Sequence, residues 1–479
     1  MKKLLSILAI VTLLVSLVAG CAQAGATTAA TAATTKSGGT TVVATTAAAT
    51  KSGKTETVKL FSTVGAYKTK VEERVAEFNN SVGKEKGIVI NLTTEIDNSA
   101  AVLETAIKSG NAPDLMSAAQ NLLQAYADMG WIKDLSTIPE IADMVKKYAK
   151  YDVPMGTSYK GKPYSLALEI LPIKLAYNKD LFKKAGIVDA KGEAKAPATW
   201  TEVAAAAKKI TEIGKGEFYG IGFSFGWSAG IRRLIFKPFI ASIGKGWYDN
   251  VNGVYDFEAM RPALEFLMQI KKDGSYFPGI ETIAIDPIRA QFADGKVGME
   301  IAPAYDIAVY NDQFPAKCSW GIAEVPAIDP AKANKGVSIL RGNYYVSSAV
   351  TKERMWAVAE VFNYMHADAF YTKLYESCAI IPVNSDIIKN AKNVQNKTGW
   401  IDMAKIDNYV AMPPYPDGSL TLEGDNFHKV FCNMFAGSIT IDQAIAQCNK
   451  TYNDALKQAV KDNKVNLADY KIGADYYKK

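Results

Sequence analysis

From residue 55 onward the apolar positions fall into short runs whose spacing alternates between two and three-to-four. Residues 57–61 alternate like a strand, and a helical stretch follows with Val71, Val75 and Phe78 on one face. Residues 88–92 make a second strand run, Ala100, Leu103, Ala106 and Ile107 mark a second helix, and Pro113-Asp114-Leu115-Met116 reads as a third strand after Gly110. This order of elements predicts a parallel, doubly wound α/β domain. Ligands of such sheets lie beyond the carboxyl ends of the strands, which points to residues 63–67, 95–99 and 118–121.

Further along, Tyr159-Lys160-Gly161-Lys162 reads as a turn. Residues 163–168 then lead into Glu169 and an apolar, proline-interrupted stretch over 170–177, the mark of a crossing between domains. Residues 200–213 are helical, with Thr199 as N-cap and Glu202 at the capping-box spacing; Thr440 and Gln443 repeat that signature before the last helix. Residues 261–271, 287–292 and 354–364 carry helical patterns, and 298–301 and 344–347 look like strands. Residues 220–230 are rich in Gly and aromatics but lack the spacing of a phosphate-cradling loop.

The amino terminus has a different character. Met1-Lys2-Lys3 precedes an apolar run over 4–18 and then Ala19, Gly20 and Cys21, the layout of a secretory signal peptide. Val18-Ala19-Gly20-Cys21 resembles the bacterial lipobox, which implies cleavage before Cys21 and lipidation of its thiol. Residues 22–54 hold 10 Thr and 11 Ala among 33, with no acidic and no aromatic residue. Such a segment builds no core, and as a coil it spans roughly 30 Å. The expectation is a signal peptide at 1–20 and a lipidated, flexible tether at 21–54, anchoring the protein to the outer face of the cell membrane.

Composition narrows the chemistry. Hydrophobic residues are 48% and charged residues 22%, enough for sizeable cores. The formal charge of +6 falls to +4 once Lys2 and Lys3 are removed (53 basic against 49 acidic residues), with no long Lys or Arg run, so nucleic acid is not a partner. Only His366 and His428 exist, which excludes a multi-histidine metal site; no cofactor is expected. Cys318, Cys378, Cys432 and Cys448 suit either one or two disulfides or four buried free thiols.

Several stretches together resemble the extracellular solute-binding proteins of ABC importers, in the group that includes maltodextrin- and other sugar-binding lipoproteins. The best local match is the run from Leu175-Ala176-Tyr177-Asn178 to Lys184-Ala185-Gly186. Ala112-Pro113-Asp114-Leu115, Pro197-Ala198-Thr199-Trp200, Phe292-Ala293-Asp294-Gly295 and Trp320-Gly321-Ile322-Ala323 follow in the family's order. Ala176 replaces a larger apolar residue, and Cys378 stands where a Gly usually opens the segment before Pro382. The resemblance implies an α/β, two-lobe periplasmic-binding-protein-like fold whose hinge the chain crosses three times. Matched segments place one lobe at 55–168 plus 337–390 and the other at 169–336 plus 391–479.

In such a cleft aromatic rings stack on sugar faces while carboxylates, amides and Arg bond hydroxyls. The candidates are Tyr67 and Gln120 at strand ends, Glu169 at the first crossing, Trp227 between small residues, Tyr305 and Asp306 after the 298–301 strand, and Arg341, Asn343 and Tyr344 at the return crossing beside Gly342. Glu169 resembles the position where maltodextrin-type relatives carry a hydroxyl-binding carboxylate. Phe427, His366 and His428 read as structural. The functional expectation is a monomeric, non-catalytic binding lipoprotein that delivers a carbohydrate, an oligosaccharide, to ABC permease subunits. The rival is a lipid-anchored glycoside hydrolase using Glu300 with Asp306 or Asp294, and a sugar sensor would look the same as an importer component.

Overall fold

The computed structural model describes residues 41–43, 55–65, 67–95, 98–117, 122–226, 230–329, 336–407 and 409–476. The chain parts between residues 39 and 40, and all described residues belong to the second unit.

The first sheet takes its strands in the order Thr41–Val43, Ile88–Thr94, Glu56–Ser62, Leu115–Met116, Tyr345–Val346. Its three inner strands run parallel and its two edges antiparallel. Val58 and Leu60 enter one hydrophobic core and Phe61 another, as a parallel sheet covered on both faces requires. The helix Lys68–Asn80 buries the expected Val71, Val75 and Phe78. It also buries Arg74, whose guanidinium lies 3.4 Å from the Tyr364 ring centroid, so the charge rests on an aromatic face. Thr41–Val43 falls inside the expected tether and pairs with Ile88–Thr94, so that part of the segment is a strand edge and not free coil.

A second sheet orders Trp320–Ala323, Ile173–Asn178, Val297–Pro303 and Tyr219–Gly222. Trp200–Gly214 and Ile441–Lys461 both begin with complete capping boxes, at Thr199 with Glu202 and at Thr440 with Gln443. These helices join Arg261–Asp273 and Phe427–Ala436 in a core rich in aromatic rings. The glycines of 220–230 serve close packing: a Cβ on Gly220 would lie 2.1 Å from the Ala207 carbonyl oxygen, and one on Gly230 1.9 Å from that of Ser224.

A third sheet, joined to the other two along the chain, is ordered Ile381–Pro382, Ala167–Leu171, Gly336–Gly342, Tyr409–Ala411. Ala167–Leu171 passes through Pro172 into the second sheet, and Gly336–Gly342 passes through Asn343 and Tyr344 into the first. These two strands pair antiparallel, so two of the three expected links run through one ribbon. The crossings expected at 168/169 and 336/337 fall within these strands, and the one at 390/391 follows the helix Ser385–Asn390 directly. Cys318, Cys378, Cys432 and Cys448 are all free thiols, which removes the disulfide alternative.

Candidate functional site

The ribbon places Glu169 and Arg341 directly opposite each other. A β-irregularity follows Arg341, where Gly342 is required because a Cβ there would lie 2.3 Å from Ser165 Oγ. Tyr67 caps the helix Lys68–Asn80 at the carboxyl end of the first parallel strand. Burial pushes its phenol well above the ordinary tyrosine range, with Glu169, Tyr371 and Tyr344 adding to the shift and Arg341 opposing it. Burial likewise raises the Glu169 carboxyl, again against Arg341. Tyr67, Glu169 and Arg341 thus form one electrostatic group, with Tyr371 beside them and its hydroxyl accepting from Asn343 Nδ2 at 3.0 Å.

A second set of side chains comes from a helix that the apolar pattern hides. Ile231–Phe236 is a π-helical stretch that continues as the α-helix Lys237–Ile243. π turns are rare and recur at functional sites. Their wide pitch aligns positions four and five apart, which sets Arg232 and Arg233 on the side of Lys237. The α-helical part packs against Gly336–Gly342 and so brings Lys237 toward Arg341. Lys237 is 4% exposed. Burial, then Arg233, Arg232 and Arg341, push its ammonium down to about 7. Arg233 stands close enough to the Tyr305 hydroxyl to oppose the burial that raises it, and Arg232 lies 4.0 Å from Asp417. The Asp417 carboxyl, raised by burial, accepts from Tyr255 at 2.7 Å beside Tyr415, whose ring centroid is 5.0 Å from that of Trp247.

Of the candidates named from sequence, the structure brings together Tyr67, Glu169, Arg341 and Asn343, and Tyr305 lies beside Arg233. Two candidates are corrected. Asp306 has no exposed surface, and Arg289 Nη2 donates to it at 2.5 Å, so its carboxylate is committed to the scaffold. Tyr344 is fully buried with its ring edge-on to His366, so it belongs to the hydrophobic core. Gln120, Trp227 and Cys21 lie outside the described residues. His366 is buried with its imidazole pushed down to about 4, and His428 bonds the Phe225 carbonyl; both are structural, as is Phe427 in its cluster of rings.

The suspected glycosidase pair is inaccessible. Glu300 and Asp306 are both without exposed surface, and Tyr310 donates to Glu300 at 2.5 Å. Burial and mutual repulsion raise Glu300, against the pull of Tyr310 and Arg289. Asp294 is held on the surface by Lys317 at 2.7 Å. Sequence reading missed Arg232, Arg233, Lys237, Tyr371, Tyr415 and Asp417. One signal was available: no acidic residue occurs from Phe218 to Tyr248, while three cations fall within six residues of an apolar stretch.

Comparison with known proteins fits this architecture. The profile of the family described as bacterial extracellular solute-binding protein matches residues 73–460. A putative binding protein of Brucella abortus is 28% identical over 255 residues, covering 49% of this chain and 54% of the relative, so the chain spans about half the length of the curated relatives it matches first. The sn-glycerol-3-phosphate-binding periplasmic protein of Brucella melitensis is 25% identical over 369 residues, 73% of this chain and 79% of that one. Among solved structures, the sugar-binding protein of Xanthomonas citri superposes with a TM-score of 0.67 at 15% identity, covering 86% of this chain and all of that one. The fold is the two-lobe fold of periplasmic sugar-binding proteins.

Proposed function

Because this chain belongs to the bacterial extracellular solute-binding proteins, we propose that it captures a carbohydrate between its two lobes and delivers it to the permease of an ABC importer. The observation that carries this reading is the Glu169–Arg341 pair on the strands that link the lobes, flanked by Tyr67, Asn343 and Tyr371. A carboxylate and a guanidinium side by side accept from and donate to vicinal hydroxyls, and the partly buried Tyr67, Tyr305 and Tyr415 are the rings available to an oligosaccharide. Because the ribbon is the hinge, a ligand held by it couples occupancy to the angle between lobes, the shape that a permease reads. Burial of Glu300 and Asp306 argues against the hydrolase reading.

The family works outside the cytoplasm. Residues 1–21 support export and anchoring through a lipid on Cys21, with the tether holding the lobes near the membrane. Cys21→Ser expressed in a bacterial host should move the protein from the membrane fraction to the soluble one; retention in membranes would exclude the anchor.

The decisive measurement is a thermal-shift screen of the full-length chain against neutral and charged mono- and oligosaccharides, with glycerol-3-phosphate, amino acids and polyamines as controls. A ligand at about a hundred times its dissociation constant stabilises the native state by about 2.7 kcal/mol. Glu169→Gln should abolish the shift given by the active sugar. Stabilisation by amino acids or polyamines alone would remove the carbohydrate assignment.

A further inference from the structure

The charges that meet in the cleft do not balance. Arg232, Arg233 and Lys237 share one helical stretch that packs against the strand carrying Arg341, and Arg233, Arg232 and Arg341 each push the Lys237 ammonium down. Two carboxyls stand nearby, Glu169 opposite Arg341 and Asp417 at 4.0 Å from Arg232, and neither makes an ion pair with Lys237. Among the described residues no hydrogen bond or ion pair reaches Lys237, although it is more than nine-tenths buried. A neutral hydroxyl at this place would leave the repulsion among the four cations in place. An oxyanion would relieve it, and the planar forks of the arginines suit the oxygens of a carboxylate or phosphate.

We propose that the carbohydrate taken up is an acidic one, with a carboxylate or phosphate group seated against Lys237 and the arginines at 232, 233 and 341. This rests on the carbohydrate reading and deepens it. Glu169 and the tyrosines hold the hydroxyl-bearing part, while the basic cluster on the π-helical turn selects the charge.

The test is calorimetric titration of the full-length chain with three probes: maltotriose as a neutral sugar, digalacturonate as a carboxylate sugar and glucose-6-phosphate as a phosphate sugar. The expected result is that at least one acidic probe binds tenfold or more tightly than maltotriose and weakens as salt is raised, and the probe that does so identifies the oxyanion. Lys237→Met should lower that affinity by about tenfold or more, the usual effect of losing a charge-assisted bond, while Lys237→Arg restores most of it. Maltotriose binding as tightly as both acidic probes overturns the inference and leaves the carbohydrate function standing. Failure of all three probes, with an amino acid or polyamine binding instead, overturns both. The wild-type panel is decisive even if Lys237→Met does not fold.

Discussion

Lys174 and Lys237 are both nearly invisible to solvent, at 1% and 4% exposure, yet their surroundings are opposites. Lys174, on the strand that leaves the ribbon for the second sheet, places its ammonium among three acceptors. These are Glu324 Oε1 at 2.5 Å, the Asp402 carbonyl at 2.7 Å and the Lys405 carbonyl at 2.8 Å. Burial lowers its pKa, and Glu324 pulls it back. Lys237 has burial and three arginines acting on it in the same direction, with nothing opposing. A buried cation with its full set of acceptors ties segments of the fold together. One that faces only like charges is completed from outside, so the direction of the surrounding field separates scaffold from binding site better than burial does.

Removing each lysine should therefore have effects of opposite sign. Lys174→Met strips a charged donor from three acceptors that join the second sheet to the segment around Asp402, and should cost about 2–3 kcal/mol in urea unfolding. A loss near zero would show that those acceptors are satisfied equally well by water. Lys237→Met removes an uncompensated buried charge and should stabilise the ligand-free protein by about 1–2 kcal/mol, while weakening binding of an acidic sugar. A less stable ligand-free variant would mean that the ammonium already has an anionic partner, which breaks the contrast at its centre.

The pH dependence sharpens the same contrast. The folded pKa of Lys237, about 7, lies below its ordinary value of 10.5. Between those values the unfolded chain binds more protons than the folded one, so stability rises with pH across that window, by up to about 1.4 kcal/mol per pH unit for one proton. Below about 7 both states hold the proton and the penalty is at its full size. The stability advantage of Lys237→Met over wild type should shrink as pH climbs from 7 to 9, read as converging urea midpoints. Parallel curves would place the titration elsewhere.

What sequence reading recovered and missed follows the same division between local and distant causes. Thr199 with Glu202 and Thr440 with Gln443 were legible because a capping box is complete within four residues. The face made by Val71, Val75 and Phe78 was legible because helical period alone defines it. Gly336–Gly342 was not, since its short pattern becomes a central strand only through partners on Ala167–Leu171 and Tyr409–Ala411. Asp306 was misread as a ligand group because nothing local reveals that Arg289, 17 positions earlier, turns back to meet it. Tyr371 sits with Phe370, Leu374 and Tyr375 on a helix whose pattern is indistinguishable from core, and only the fold carries its hydroxyl to Asn343. Lys237 was hidden by the apolar residues around it, although the missing acidic partners were written in the chain.

The smallest expected effect tests whether the acceptors around Lys174 belong to the fold or to particular side chains. Lys405 Nζ lies 2.7 Å from Asp402 Oδ1, an ion pair on the surface of the very segment whose carbonyls receive Lys174. Its two side chains are 64% and 50% exposed, so water screens the attraction and holding them together costs rotamer freedom. Lys405→Ala keeps the main-chain carbonyl and should change stability by no more than about 0.5 kcal/mol. It should also leave the cost of Lys174→Met unaltered in a double-mutant cycle, because the two sites then share no energetic term. A coupling above about 1 kcal/mol would mean that the surface pair positions the carbonyls for Lys174, and the buried contact would owe part of its strength to an exposed one.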